Sequence, residues 1–162
     1  MVIQTTHGAG TPLSTTRATS AVCVKKNAED FEVIWRLGTV NVGSLVGRSA
    51  EVVEMLTRRR VDIAGIQEVR YRNSGTRMIK GKSSRFKLFW QGSVTRDVGV
   101  GLLVSEEVTK RVVDVRRVSD RIIVVDIVIE AEIISIVSVY APQSGRSAEE
   151  KDRFYEDLDR EV

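Results

Sequence analysis

The sequence predicts an α/β protein with a mixed sheet, in which a β-α-β unit comes first and antiparallel strands follow. The apolar runs 34–40 and 61–66 flank a segment whose apolar residues recur at helical spacing, and two strands joined by one helix lie parallel in a sheet. From residue 86 onward, β-branched apolar runs follow one another with short connections, which favours antiparallel pairing.

The chain is expected to hold one domain, residues 33–162, behind a disordered lead-in, residues 1–32. The lead-in is rich in Thr, Ser and Gly and has no apolar period. No apolar run approaches the ~18 residues of a membrane helix, and no secretory signal opens the chain. We therefore expect an intracellular protein, with the nucleus as one option, and no membrane partner. Cys23 is the only cysteine, so no disulfide partner is expected.

The β-α-β unit is predicted over residues 33–68. Its first strand ends at Asn41, and Ser49 is the predicted N-cap of the helix, with Glu51 in the first turn as the helix dipole favours. The second strand, residues 61–66, leads into Gln67 and Glu68. The buried face of the helix is predicted to hold Val52, Val53 and Leu56.

The rest of the domain is predicted as a basic loop, a series of strands and a last helix. The strands are predicted at 86–90, 98–104, 112–118, 122–129 and 133–140. Ser147 and Glu150 form a capping box for the helix. Phe154, Leu158 and Val162 then fall on one helical face, which needs a partner to cover it.

The charge distribution points to a polyanion as partner. Net charge is only +3, but no acidic residue lies between Glu68 and Asp97. That segment can meet nucleic acid; the alternative is a solvated loop, balanced by the acidic tail after Ser147. The basic residues of the segment are Arg70, Arg72, Arg77, Lys80, Lys82, Arg85, Lys87 and Arg96.

Three polar residues are expected where buried strands end. Asn41 and Glu68 follow the two parallel strands, at the carboxyl edge where α/β sheets bind ligands, and Tyr140 follows the most apolar strand. A carboxylate suits Mg²⁺, an amide can orient it, and a phenol can donate to a phosphate oxygen. Each residue also has a structural interpretation: a surface charge for Glu68, a turn for Asn41, and a buried aromatic for Tyr140.

Three arginines are candidate phosphate-binding residues. Arg70 and Arg72 lie two and four residues after Glu68 in the sequence. Arg121 can bind a phosphate with two donors or pair with its neighbour Asp120. The sequence lacks the motifs of several other enzyme classes. It contains no P-loop, no Gly-x-Ser-x-Gly and no zinc-spaced Cys/His cluster.

The motifs around Asn41, Glu68 and Tyr140, taken in this order, resemble those of the endonuclease/exonuclease/phosphatase superfamily, which includes DNase I-like and AP endonuclease-like enzymes. Within it, the runs 77–90, 118–122, 140–143 and 149–155 look like those of non-LTR retrotransposon endonuclease domains and of the craniofacial development protein 2-like group. The resemblance covers residues 33–162. It implies a four-layered α/β sandwich and hydrolysis of DNA phosphodiester bonds, with DNA as partner of the intact relatives.

The resemblance also implies roles for single residues. Glu68 corresponds to the ligand of Mg²⁺ or Mn²⁺, Asn41 to the residue that supports the metal, and Tyr140 to the residue that contacts the scissile phosphate. Many nucleases of the family carry an Asp where this chain has Gly43. That difference weakens any expectation of a second carboxylate in the site.

The resemblance is to the N-terminal half of the domain alone. The family's Gly-Asp-Phe-Asn and Ser-Asp-His motifs, which complete the catalytic site, do not occur in this sequence. We therefore expect no activity from this chain, and one sheet face left uncovered. A non-catalytic nucleic-acid-binding protein that uses the basic segment 70–96 is the first alternative, and an inositol- or lipid-phosphate hydrolase of the same superfamily is the second.

Overall fold

The computed structural model describes residues 2–5, 20–24, 33–129 and 131–162, and of residues 2–5, 20–24, 33 and 34 it describes the backbone alone. The strands are β1 (Val2–Thr5), β2 (Ser20–Val24), β3 (Val33–Asn41), β4 (Ile63–Gln67), β5 (Ser74–Lys80), β6 (Arg85–Gly92), β7 (Gly99–Ser105), β8 (Val112–Ser119), β9 (Ile122–Ile129) and β10 (Glu132–Val139). The helices are α1 (Ser49–Arg58), α2 (Glu106–Thr109) and α3 (Ala148–Glu161). None of these helices is long and apolar enough to cross a membrane.

The strands form two sheets. The larger has the order β2-β3-β4-β7-β6-β5, and its parallel pair is β3 with β4, joined through α1. The smaller has the order β1-β10-β9-β8 and is antiparallel throughout. The predicted α/β class, with a β-α-β start, a mixed sheet and antiparallel strands after it, is confirmed.

The elements stack in four layers, helix on sheet on sheet on helix. Apolar side chains of both sheets meet in the middle, among them Leu37 and Leu102 from one sheet and Ile123 and Ile136 from the other. Each of these four side chains is at most 2% exposed. Removal of so much apolar surface from water is the main force that holds the two sheets together.

The outer faces of the sheets are covered by the two longer helices. On the larger sheet, α1 contributes the predicted residues Val52, Val53 and Leu56 to a second apolar cluster. On the smaller sheet, Phe154 of α3 is 5% exposed and packs with residues of β9 and β10. Leu158 packs against the same cluster.

The outer face of the smaller sheet is covered by α3 at one end, and its side chains are polar or exposed further along. Next to the α3 cluster, Arg116 bonds to Asp126 and to Glu161 of α3, and Ser135 donates to Asp126 at 2.7 Å. Beyond them Val113 and Ile133 are 55% and 42% exposed. The expected uncovered sheet face is thus reduced, in the part of the chain described, to the end of the sheet away from the α3 cluster.

Several local features differ from the predictions. Two segments of the predicted disordered lead-in, β1 and β2, are edge strands; its other residues, His7 among them, lie outside the described ranges. The predicted basic loop contains β5, an edge strand with a single buried side chain, Ile79, and therefore no apolar alternation to reveal it. Ser49 is the first residue of α1 and Arg48 precedes it as N-cap, without a side-chain capping bond. The cap of α3 is as predicted, since Ser147 accepts a hydrogen bond from the Glu150 amide.

Candidate active site

The two parallel strands end side by side and bring Asn41 next to Glu68. Asn41 and Gln67 are partners in the β3–β4 register, and the Val42 amide donates to the Gln67 carbonyl at 3.1 Å. Because β4 ends at Gln67, Glu68 is the first residue beyond the sheet. The prediction that these two side chains share the carboxyl edge of the sheet is confirmed.

Glu68 is the point on which the polar side chains converge. Its Oε1 accepts hydrogen bonds from Asn41 Nδ2 at 2.7 Å and from the Tyr140 hydroxyl at 3.0 Å. Its Oε2 accepts from Arg70 Nη2 at 2.9 Å. Three residues that were predicted from separate motifs are therefore in direct contact, and one of the predicted arginines joins them.

Tyr140 reaches Glu68 because the two sheets approach closely beneath it. Gly65 of β4 faces Ser138 of β10, and a Cβ atom on Gly65 would lie 2.9 Å from Ser138 Oγ. A side chain at that position would force Ser138, two residues before Tyr140, to shift. Gly65 belongs to the same motif as Glu68, but its role was missed because it depends on the neighbouring sheet.

The amide of Asn41 is held in one orientation. Its Oδ1 accepts a hydrogen bond from the Gly43 amide at 2.9 Å, so its Nδ2 is the atom that faces Glu68. Gly43 has a φ of +65°, a backbone conformation that glycine adopts without steric cost. Gly43, at the position where many nucleases of the superfamily that the sequence resembles carry an Asp, thus fixes Asn41 through its backbone amide.

The turn that carries Glu68 has an unusual backbone. Glu68 and Arg70 have φ values of +59° and +54°, in the left-handed region that costs a non-glycine residue about 1 kcal/mol or more. Between them, the Val69 amide donates to the Gly99 carbonyl, and the Val69 carbonyl accepts from the Leu45 amide, each at 3.2 Å. These two bonds hold the turn in its conformation and aim Glu68 at Tyr140.

The hydrogen bonds set the charge states of the site. The bond from Asn41, and then that from Arg70, lowers the pKa of Glu68, so the carboxylate is ionised at neutral pH. Burial, and then the hydrogen bond to Glu68, raises the pKa of Tyr140, so its hydroxyl keeps its proton. At neutral pH the site therefore holds one fixed negative charge and one phenolic donor.

Arg121 lies beneath Tyr140 and is 8% exposed. Its guanidinium donates to the Tyr140 carbonyl at 3.2 Å and to Glu150 of α3 at 2.7 Å. Its Cζ also lies 5.5 Å from the centre of the Tyr140 ring. The hydrogen bonds of Arg121 thus tie Tyr140 to α3, whereas the sequence offered a phosphate or Asp120 as its partner. Arg72, the third predicted arginine, is exposed.

A cleft of about 190 Å³ opens beside Glu68. It is lined by Glu68, Arg70, Asp97, Val98, Arg121, Tyr140, Gln143 and Arg146. A second cleft of about 280 Å³ shares Asp97, Val98, Arg121 and Arg146 with it. Sequence reasoning missed Asp97 and Arg146, although Asp97 is the first acidic residue after the basic segment. Hydrogen bonds from Thr95 and Ser93 lower the pKa of the Asp97 carboxyl.

The carboxylates of the described residues do not form a closed metal site. Nowhere in those ranges do three acidic, histidine or cysteine side chains come close enough together to enclose a metal ion. A cation at Glu68 would accordingly rely on water and on oxygens of a ligand for most of its coordination, which is the usual arrangement for Mg²⁺.

Comparison with known proteins gives one informative similarity. No family model matches the chain. Craniofacial development protein 2 of Bos taurus is 30% identical to it over 123 residues, which is 75% of this chain and 20% of that protein. The chain therefore spans about a fifth of the length of this relative. The similarity supports the sequence resemblance to that group of proteins.

Proposed function

We propose that this chain is part of a Mg²⁺-dependent phosphodiesterase domain of the endonuclease/exonuclease/phosphatase superfamily, of the kind that cuts DNA in non-LTR retrotransposons. The observation that carries the proposal is the convergence of Asn41 and Tyr140 on the carboxylate of Glu68. The two sheets contribute to this contact from segments far apart in the sequence. The resemblance of the sequence runs and the similarity to craniofacial development protein 2 support the same proposal.

The groups at the strand ends suit a hard divalent cation. The Glu68 carboxylate is ionised, is 16% exposed and lines the cleft. Mg²⁺ usually takes one or two protein carboxylates and completes its coordination with water and phosphate oxygens. Glu68 would hold the ion, Mg²⁺ or Mn²⁺, and Asn41 would keep the carboxylate in orientation. When bound, such an ion stabilises the charge that a phosphate gains during attack.

The other groups bind and orient a phosphodiester. The Tyr140 hydroxyl keeps its proton and can donate to a phosphate oxygen. Arg70 and Arg121 line the same cleft, and Arg72 is exposed two residues beyond Arg70. A guanidinium matches a phosphate with two parallel donors.

We further propose that the 162-residue chain by itself binds phosphodiesters without cutting them. General-base activation of water is most effective when the pKa of the base lies near the working pH. The two carboxylates that line the cleft, Glu68 and Asp97, both have pKa values below the ordinary range, which makes them weak bases. Tyr140 has the opposite limitation, because its raised pKa keeps the proton on the hydroxyl.

Binding of Mn²⁺ tests this proposal directly. We expect the chain to bind Mn²⁺, as measured by electron paramagnetic resonance of the free ion, and Glu68→Gln to weaken binding by more than about tenfold. Glu107→Gln is the matched control, because Glu107 is an exposed carboxylate on α2 that pairs with Lys110. Equal Mn²⁺ binding by Glu68→Gln and the unchanged chain would refute the metal site. Nicking of plasmid DNA that Glu68→Ala abolishes would refute the proposed lack of activity.

A second candidate function is nucleic-acid binding that does not depend on Glu68. It is favoured by the exposure of most basic side chains in the segment 70–96. Those exposed are Arg70, Arg72, Arg77, Lys80, Lys82, Arg85 and Arg96. This function predicts salt-dependent binding that survives Glu68→Gln.

A further inference from the structure

Arg70 occupies the side of the Glu68 carboxylate that the other donors leave open. Asn41 and Tyr140 both donate to Oε1, while Arg70 Nη2 lies 2.9 Å from Oε2. The guanidinium is therefore the positive charge that balances Glu68 in this structure. A divalent cation that binds Glu68 at Oε2 would need the same place.

A guanidinium and a divalent cation do not share that place without strong repulsion. Both are positive, and both would lie within hydrogen-bonding or coordination distance of one oxygen atom. The carboxylate is only 16% exposed, so water screens the repulsion incompletely. Binding of the cation at Oε2 is thus coupled to departure of Arg70.

Arg70 is free to leave. Its side chain is 46% exposed, and it follows the turn at Glu68 rather than lying within a strand. Within the described residues, its guanidinium hydrogen-bonds to Glu68 alone. The cleft beside it is also lined by Tyr140, Gln143 and Arg146, so a phosphate that enters there comes within reach of Arg70.

We propose that Arg70 is an exchange residue between the cation and the phosphate of the site. It neutralises Glu68 when no cation is bound, and it leaves Oε2 when one binds. Its guanidinium then binds a phosphate oxygen of the ligand in the same cleft. This inference rests on the proposed metal-dependent function and adds a coupling to it, since the cation frees the residue that binds the phosphate.

Coupling of this kind is reciprocal. If the cation strengthens phosphodiester binding through Arg70, the phosphodiester must strengthen cation binding by the same factor. Removal of the Arg70 charge should therefore have two effects of opposite sign. It should tighten binding of the cation alone, and it should reduce the benefit that a phosphodiester gives to cation binding, leaving only the part that comes from phosphate oxygens on the cation itself.

The experiment measures Mn²⁺ affinity by electron paramagnetic resonance, with and without a short oligothymidylate as the phosphodiester probe. We expect Arg70→Gln to bind Mn²⁺ about fivefold more tightly than the unchanged chain without the oligonucleotide. With the oligonucleotide, the affinity of the unchanged chain should rise about fivefold and that of Arg70→Gln should rise clearly less. Arg70→Lys should keep the competition for Glu68 and lose most of the coupling, because an ammonium lacks the planar pair of donors.

Arg72→Gln is the matched control, because it removes the same charge two residues away from an exposed side chain. Thermal unfolding of each variant checks that the fold is intact. Equal Mn²⁺ affinities for Arg70→Gln and Arg72→Gln would overturn the exchange, since a general charge effect would then explain both. If all these variants bind Mn²⁺ alike and Glu68→Gln does not, the metal site stands and the exchange is wrong. Absence of Mn²⁺ binding from every variant would overturn the proposed function as well.

Discussion

Glu68 combines a strained backbone with a well-satisfied side chain. Its left-handed φ of +59° is unfavourable for a residue with a Cβ atom, yet three donors from separate segments share its two oxygens. Strain of this kind persists where the surrounding structure fixes it, and it is concentrated at functional sites. The hydrogen bonds of the Val69 amide and carbonyl hold the Glu68 turn in this conformation.

Acid should weaken the contribution of Glu68 to stability. Its pKa in the folded chain is below the ordinary value of 4.5, so its contribution is complete above that pH and is lost as the pH falls through the folded pKa. We expect Glu68→Gln to lower the free energy of unfolding by about 1–2 kcal/mol at pH 7. The difference from the unchanged chain should shrink below pH ~4.5, as urea unfolding at several pH values would show. A difference that stays constant down to pH ~3 would contradict this assignment; Glu51→Gln, an exposed change on α1, controls for charge.

Asn41 and Glu68 could be predicted to lie together because they end two parallel strands, whereas Tyr140 follows a strand of the other sheet and was assigned to the site by the family resemblance. The partners of these residues could not be predicted. Arg70 reaches Glu68 through a turn with two left-handed residues, and Asp97 reaches the cleft through the loop between β6 and β7. Such backbone paths depend on tertiary contacts that leave no periodic signal in the sequence.

The close approach of β4 and β10, which lie in different sheets, brings the ends that carry Glu68 and Tyr140 together. Gly65 on one strand and Ser138 on the other lie so close that a Cβ atom on Gly65 would come within 2.9 Å of Ser138 Oγ. Ser138 Oγ is fully buried and has no hydrogen-bond partner within the described residues. The hydroxyl therefore adds bulk at this contact without a bond that stabilises it.

These facts predict the outcome of a double-mutant cycle. Gly65→Ala should destabilise the fold by about 1–3 kcal/mol, because the new methyl group would meet Ser138 Oγ at 2.9 Å. Ser138→Ala alone should be neutral or stabilising, since it removes a buried hydroxyl without a partner. The double variant should be close to Ser138→Ala in stability, as measured by urea unfolding. Additive effects of the two changes would show that the side chains do not meet.

Strands of the core could be predicted more fully than strands at the edges. β4, β7 and β9 are buried along most of their length and appear in the sequence as continuous apolar runs. The edge strand β5 buries only Ile79, and its exposed residues other than Met78 are polar or basic, so it looked like a loop. Polar and basic residues on an edge strand are nevertheless common, because they discourage pairing with other chains.

At the scale of the whole molecule, the basic segment 70–96 begins next to the site and continues into the edge strand of the larger sheet. Arg70 and Arg72 lie two and four residues after Glu68, and the chain then enters β5 at the sheet edge, with Arg77 and Lys80 exposed along it. A polyanion bound along this edge would therefore lead toward the cleft at Glu68. The two candidate functions share this surface and differ in whether the Glu68 carboxylate takes part.

Salt-dependent DNA binding distinguishes the two functions. We expect the triple change of Arg72, Lys80 and Lys82 to Gln to weaken binding of a labelled duplex and to lower the slope of log affinity against log salt by about 2–3, because each lost phosphate contact removes about 0.9. These three substitutions leave the contact between Arg70 and Glu68 intact. The matched control changes the exposed Arg58, Arg59 and Arg111 to Gln and should leave the slope almost unchanged.

Fluorescence anisotropy at several salt concentrations, with and without Mn²⁺, gives both measurements. If binding serves the metal site, Mn²⁺ should tighten it in the unchanged chain and have no effect in Glu68→Gln. If the surface binds DNA without the site, Glu68→Gln should bind as well as the unchanged chain or slightly better, since a negative charge is removed next to the phosphates. Equal slopes for the two triple variants would instead mean that the net charge of +3, and not the segment 70–96, attracts the polyanion.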